Sequence, residues 1–230
     1  MSFPKLRYKP APEALDIIGK SPNVRKLDGS DGTFYAFFSG CGTAAKTGFI
    51  LYPGGLIDAR AYAPLMQGIA AEGYTAVIAA MPLNLAVLGS SRAGKIMARF
   101  SEIEKWALGG HSLGGVMACR YAKSGDARIS GLVLLASYPS RRFSVEHMPL
   151  KAVSIYATED GLIKQNVIEA SKQNLPEDTH FVGIQGGNHS QYCALAPQNN
   201  LYRGDNPASI TPAEQQQAIV RAVADFLGTI

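Results

Sequence analysis

The 230 residues include 47% hydrophobic and 17% charged side chains, ample material for one large core and too apolar for a disordered chain. Lys and Arg (22) exceed Asp and Glu (18) by +4, but the densest basic pair, Arg141-Arg142, is isolated. The excess therefore reads as solvated surface, and no nucleic-acid partner is expected.

Cys41, Cys119 and Cys193 are far apart and lack metal-ligand spacing, which reads as reduced thiols of a cytoplasmic protein. Met1 to Lys20 holds no apolar stretch of signal-peptide length, and no run approaches a membrane span. Length and the absence of linkers or repeats predict a single α/β domain over residues 1–230.

In chain order, Gly32–Phe38 and Gly48–Tyr52 are β-rich runs, the second closed by Pro53-Gly54-Gly55. From Asp58 to Glu72, Tyr62, Leu65, Met66 and Ile69 recur at helical spacing before a stop at Gly73. Tyr74–Ala80 reads as a buried strand, and Leu83–Phe100 mainly as helix despite Gly89 and Gly94. Lys105–Gly109 is a short strand, Leu113–Lys123 a helix rich in small residues, and Ile129–Ala136 the strongest strand. Ala152–Ala157 is a strand, Leu162–Lys172 a helix and Thr179–Ile184 the last strand. Pro212–Leu227 is the terminal helix, with Thr211 as N-cap and Pro212 in the first turn. This alternation predicts a doubly wound, mainly parallel sheet with helices on both faces, whose ligands bind beyond the strands' carboxyl ends.

Gly110-His111-Ser112-Leu113-Gly114 lies where a predicted strand runs directly into a predicted helix. A tight turn there would strain the Ser112 backbone and lift its hydroxyl clear of the sheet, with flanking glycines avoiding collision between strand and helix. A Gly-rich phosphate turn is the competing reading, but the Lys of a P-loop is missing. Serine needs a base. His111 is expected to point away from the Ser112 hydroxyl, His147 lies in a polar connection, and His180 begins a strand. His189 follows the last strand in a Gly-rich loop and is the expected base. Asp160, after the strand Ala152–Ala157, supplies the carboxylate in the order Ser, Asp, His; Glu159 is its neighbouring rival, and Asp178 should lie at the opposite edge. Two N–H groups would make an oxyanion hole: Leu113, and Gly55 as first choice of its loop ahead of Gly54 and Leu56.

Tyr52–Tyr62, Met81–Ala86, Gly109–Gly115, Thr158–Gly161 and Gly187–His189 together resemble the compact, dienelactone-hydrolase-like branch of the α/β-hydrolases, in matching order from about Thr47 to Leu227. The resemblance implies the α/β-hydrolase fold, a sheet of eight or slightly fewer strands, and a Ser112–His189–Asp160 triad. True dienelactone hydrolases use Cys where Ser112 stands, so their lactone is not implied.

The Ser137–Lys151 connection is too short for a cap domain, so the site should be open, with Ser190–Ile210 (carrying Tyr192, Leu201, Tyr202 and Arg203) as the candidate for partial cover. Arg60 reads either as an anion-binding group or as a surface residue. The expectation is a carboxylesterase-like serine hydrolase acting on a small ester or lactone without cofactor or metal. An acyltransferase would use the same residues, a non-catalytic binding member of the fold is the other alternative, and the oligomeric state stays open.

Overall fold

The computed structural model describes residues 8–40, 46–199 and 201–230; Cys41 lies outside them. The elements are α1 (Pro12–Lys20), β1 (Val24–Gly29), β2 (Gly32–Phe37), β3 (Thr47–Tyr52), α2 (Ala63–Ala71), β4 (Thr75–Ala79) and α3 (Arg92–Met97). They continue with β5 (Lys105–His111), α4 (Leu113–Ala122), β6 (Ile129–Leu135), β7 (Lys151–Ala157), α5 (Gln165–Ser171), β8 (His180–Ile184) and α6 (Pro212–Leu227).

The strands form one eight-stranded sheet in the order β1-β2-β4-β3-β5-β6-β7-β8. β2 runs antiparallel to β1 and β4, and all pairs from β4-β3 to β7-β8 are parallel. Because alternate side chains leave opposite faces of a strand, the apolar runs feed two cores. Phe49 and Leu51 of β3, Ala76 and Ile78 of β4, and Val133 and Leu135 of β6 pack with Leu65, Met66, Ile219 and Val223, on the side of α2 and α6. Ile50, Val77, Leu132 and Leu134 pack instead with Ala93, Ile96, Met117 and Cys119, on the side of α3 and α4. After β3 the chain crosses to β4, then returns to lay β5 on the other side of β3. That reversal falls between β3 and β5, and the carboxyl ends beside such a switch point are the place these sheets use for ligands.

The helix expected over Leu83–Phe100 is a correction. The segment makes two 3-10 turns, Pro82–Asn84 and Ala86–Leu88, and only Arg92–Met97 is α-helical. Leu83 and Asn84 have φ of 52° and 57°, which no right-handed helix tolerates. The Tyr52 hydroxyl instead starts α3, accepting from Ala93 N–H (2.8 Å) and donating to the Ser90 carbonyl (2.7 Å). The helix expected from Leu162 begins at Gln165, after a turn in which the Asp160 carboxylate accepts the Leu162 and Ile163 N–H groups. α1 and β1 carry little sequence signal: β1, an edge strand, is half-exposed or exposed along its length, so no apolar run marks it.

The Ser137–Lys151 connection contains a single 3-10 turn, Arg141–Phe143, and no cap. Among the described residues no helix is long and apolar enough to cross a membrane.

α6 starts as read from sequence. Thr211 Oγ1 accepts the Glu214 N–H (3.3 Å) while a Glu214 carboxylate oxygen accepts the Thr211 N–H (2.8 Å). These bonds to Thr211 hold the Glu214 carboxyl below its usual range. Thr211→Ala should lower unfolding stability by about 1 kcal/mol in urea titrations; an unchanged midpoint would show that the cap is idle.

Candidate active site

Between β5 and α4 stands a single residue, Ser112, with φ 50° and ψ −121°. The conformation costs about 1–3 kcal/mol and persists only where neighbours enforce it. Ser112 N–H donates to the Leu135 carbonyl (3.0 Å), and the Ser112 carbonyl accepts from Gly115 N–H (3.0 Å) and Ser137 Oγ (2.7 Å). A Cβ on Gly110 would collide with the main chain of Gly114 and Gly115, and one on Gly114 with the Tyr52 carbonyl. Strand, turn and helix meet closer than any side chain allows, so both positions require glycine. The Ser112 hydroxyl is not spent on capping α4.

The strain is not confined to Ser112. Among the described residues, the non-glycine positions with positive φ are Leu56, Leu83, Asn84, Ser112 and Ala136. They follow the carboxyl ends of β3, β4, β5 and β6, four adjacent strands. Strained backbone clusters where a fold is over-determined, frequently at functional sites.

Asp160 and His189 are brought together. Asp160 Oδ2 lies 2.8 Å from His189 Nδ1, with both side chains 1% exposed. Asp160 Oδ1 accepts from Leu162 N–H (2.8 Å) and Ile163 N–H (2.7 Å), which fixes the carboxylate in its turn. With the carboxylate as acceptor, Nδ1 carries the proton and Nε2 presents a lone pair. Nε2 is buried and forms no hydrogen bond, including none with Ser112 Oγ. Such bonds are often loose before substrate arrives. The rivals separate by position: Glu159, His147 and His180 are exposed, and Asp178 lies at the amino end of β8.

His111 enters the core rather than solvent. Its Nδ1 is 2.8 Å from the Tyr62 hydroxyl, its ring stacks on Tyr192 (5.1 Å between centroids), and it lies 4.5 Å from the His189 ring. Burial, reinforced by the nearby His189, holds His111 well below the usual histidine range, so it is neutral at physiological pH.

The loop after β3 supplies one unengaged donor. Gly54 N–H donates to the Tyr62 hydroxyl (2.9 Å) and Leu56 N–H to the Asn84 carbonyl (2.8 Å). Gly55 N–H has no such bond, and the site of a Gly55 Cβ would lie 3.3 Å from Leu113 Cδ2. Leu113 opens α4, so its own N–H belongs to the unpaired first turn. Gly55 thus lies against the Leu113 side chain, and among the described residues the Gly55 N–H is uncommitted.

Within the expected cover loop, Tyr192 instead turns into the core and donates to the Ile155 carbonyl (3.0 Å). Tyr202 stands edge-on to the His189 ring (5.6 Å, 85°), stacks on Tyr8 (4.0 Å) and donates to the Gly55 carbonyl (3.0 Å). Leu201 and Arg203 are exposed. Arg60 is gripped by Asp58 through two bonds of 2.9 and 2.6 Å, and lines a groove of about 860 Å³ with Tyr8, Asn84 and Gln198. Ser112, Asp160 and His189 do not line that groove.

Three contributors escaped the sequence reading. Tyr62 joins the Gly54 loop to His111. Gln215, wholly buried on α6, accepts Asn188 N–H (2.9 Å) and donates to the Asn188 carbonyl (2.8 Å), anchoring the histidine loop. Asp205 is the third. Gln215 and Asp205 belong to no local motif, and Tyr62, though it closes the Tyr52–Tyr62 segment, is marked there only by helical spacing that points to burial. Among the described residues no cluster has metal-ligand character. The Cys119 thiol, on the buried face of α4, is pushed up to about 12 by burial, and burial also raises Cys193.

Tyr62→Phe would leave Gly54 N–H and His111 Nδ1 unpaired in a dry interior. Stability should fall by about 1–3 kcal/mol on chemical denaturation. A neutral result would mean that the hydroxyl is dispensable to this corner.

A family model described as the alpha/beta hydrolase family matches residues 48–217. No curated protein matches the sequence significantly. Solved structures similar in fold include a dienelactone-hydrolase-like promiscuous phosphotriesterase from metagenomic libraries (16% identity, 90% of this chain and 97% of that chain, TM-score 0.61). An esterase of Thermogutta terrifontis shares 10% identity (90% and 92%, TM-score 0.61), and one of Pyrobaculum calidifontis 15% (93% and 89%, TM-score 0.61). At these identities the likeness is one of fold. The family model covers most of the sheet, including the strand and the helix that meet at Ser112, and the chain belongs to the alpha/beta hydrolase family.

Proposed function

We propose that this chain is a serine hydrolase that cleaves a carboxylic ester-type bond of a small substrate through an acyl-enzyme on Ser112. The observation that carries the reading is the buried Asp160–His189 pair, whose only unpaired ring nitrogen belongs to the residue packed against His111, the neighbour of Ser112. Family membership supports hydrolysis as the reaction class.

Ser112 Oγ attacks the substrate carbonyl carbon as His189 Nε2 takes the hydroxyl proton. Asp160 keeps the proton on Nδ1 and stabilises the imidazolium. The carbonyl oxygen becomes an oxyanion and accepts from Leu113 and Gly55 N–H, donors of a type individually worth on the order of 10²–10³ in kcat. The imidazolium then protonates the leaving alkoxide and the C–O bond breaks, leaving the acyl group on Ser112. Water adds to that ester with His189 as base, the acid departs, and Ser112 recovers its proton.

A fluorophosphonate probe should label the protein once, on the peptide containing Ser112. Ser112→Ala should abolish the adduct, and His189→Ala should slow it severely. An adduct on Ser90, Ser91 or Ser190, or none on folded protein, rejects the reading. Asp160→Asn should lower kcat on the order of 10⁴-fold, as the analogous change does in a serine protease, whereas Glu159→Gln should be mild because Glu159 is exposed. Exchanged outcomes would move the acid to Glu159.

The absence of a cap between β6 and β7 supports an open acyl site rather than a deep slot. Leu83 and Leu88, 64% and 55% exposed beyond β4, offer apolar surface without enclosure. Short-chain nitrophenyl esters should therefore show higher kcat/KM than long-chain ones. Preference for emulsified long-chain lipid would contradict an open site.

A further inference from the structure

Among the described residues, two carboxylates are buried, and the proposed mechanism uses only Asp160. The other is Asp205, in a loop whose sequence, Arg203-Gly-Asp-Asn-Pro, reads as an ordinary polar turn. A buried carboxylate carries a desolvation cost of several kcal/mol unless something compensates it. No Lys or Arg among the described residues forms an ion pair with Asp205.

Compensation comes from five hydrogen bonds. Oδ1 accepts from Gly161 N–H (2.9 Å), Asn206 N–H (2.9 Å) and, at longer range, His189 N–H (3.4 Å). Oδ2 accepts from Ser190 N–H (2.8 Å) and Ser190 Oγ (2.6 Å). Bonds to an ionised acceptor are shorter and stronger than neutral ones. What matters is where the donors sit. Gly161 follows Asp160 directly, and Ser190 follows His189.

One carboxylate thus adds a tie between the acid's turn and the base's loop, which are also joined by Asp160–His189 itself, by Glu159 N–H to the Gly187 carbonyl (2.8 Å), by Gly186 N–H to Thr158 Oγ1 (2.9 Å) and by Thr158 N–H to the Ile184 carbonyl (3.1 Å). The tie extends further. Ser190 Oγ also accepts Tyr202 N–H (2.7 Å), and the Tyr202 hydroxyl holds the Gly55 carbonyl.

We propose that Asp205 is a positioning residue of this site: its carboxylate sets the spacing of Asp160 and His189, and through Ser190 and Tyr202 it steadies the Gly55 peptide. The proposal rests on the serine-hydrolase reading above. Asp205 bonds none of the reacting atoms; it acts through the main chain of its neighbours.

Asn is the telling replacement at 205. Its amide keeps the shape but has one acceptor oxygen, so an NH₂ must face N–H donors on one side. In folded Asp205→Asn, kcat toward p-nitrophenyl butyrate should fall between about 10- and 100-fold, the scale on which misplaced groups lose rate, and fluorophosphonate labelling should slow in step. KM should stay within about twofold, because no substrate contact is lost. Unchanged kcat, or a raised KM with kcat intact, overturns the positioning role. If Asp205→Asn does not fold, Ser190→Ala decides: it removes one hydroxyl and leaves every main-chain bond to Asp205. A kcat lowered at least about threefold with KM held supports the link, and unchanged kcat overturns it. Wild-type protein that neither hydrolyses the ester nor takes up the probe would instead remove the hydrolase reading, and this proposal with it.

Discussion

A serine held at φ 50° between a strand and a helix cannot relax without pulling the two apart. Its backbone is enforced from three directions: β6 through the Leu135 carbonyl, the Ser137 hydroxyl, and the glycines that let α4 press on β5 and β3. The sheet order makes this possible. Winding reverses between β3 and β5, and there the start of α4 lies against the end of β3, so close that Gly114 faces the Tyr52 carbonyl. The cores on both faces give the rigidity that keeps a strained residue in place.

Beyond the elbow, the site is built from charges neutralised by hydrogen bonds rather than by ions. Asp160 receives two main-chain N–H groups and the His189 ring, and Asp205 receives five donors. Neutral His111 lies against His189 without adding a second positive charge beside the base. In a low-dielectric interior such preorganised dipoles are worth more than in water, and they need not reorganise during the proton transfer proposed from Ser112 to His189. The same aromatic cluster, Tyr62, Tyr192 and Tyr202, locks the histidine rings and reaches the Gly55 loop.

Much of this was legible because local chemistry and global fold demanded the same residues. The strands from β3 to β7 announce themselves as apolar runs because both faces are buried, whereas β8 is exposed or half-buried except at Ile184 and is marked only by its β-rich composition. Thr211 and Pro212 marked the start of α6 through cap chemistry. Ser112, Asp160 and His189 stand out as candidates by their place after strands, and the structure sets Asp160 against His189. The failures have equally physical reasons. Leu83–Phe100 has helical composition, but Leu83 and Asn84 adopt left-handed backbone under tertiary constraint, with the Asn84 carbonyl fixing Leu56 N–H. β1 is an exposed edge with no apolar signature. Asp205, Gln215 and Tyr62 act across 15 to 44, 27, and 8 to 49 residues of chain. No window of sequence displays such partnerships.

In the proposed reaction a carboxylic acyl group becomes covalently attached to Ser112 during turnover. Mixing the full chain with a short-chain nitrophenyl ester, quenching in acid during the steady state and mapping peptides by mass tests it most directly. The account predicts the acyl mass on the peptide containing Ser112, and its disappearance in Ser112→Ala together with turnover. Full turnover with no acylated peptide, or acylation at another residue that survives Ser112→Ala, would contradict it.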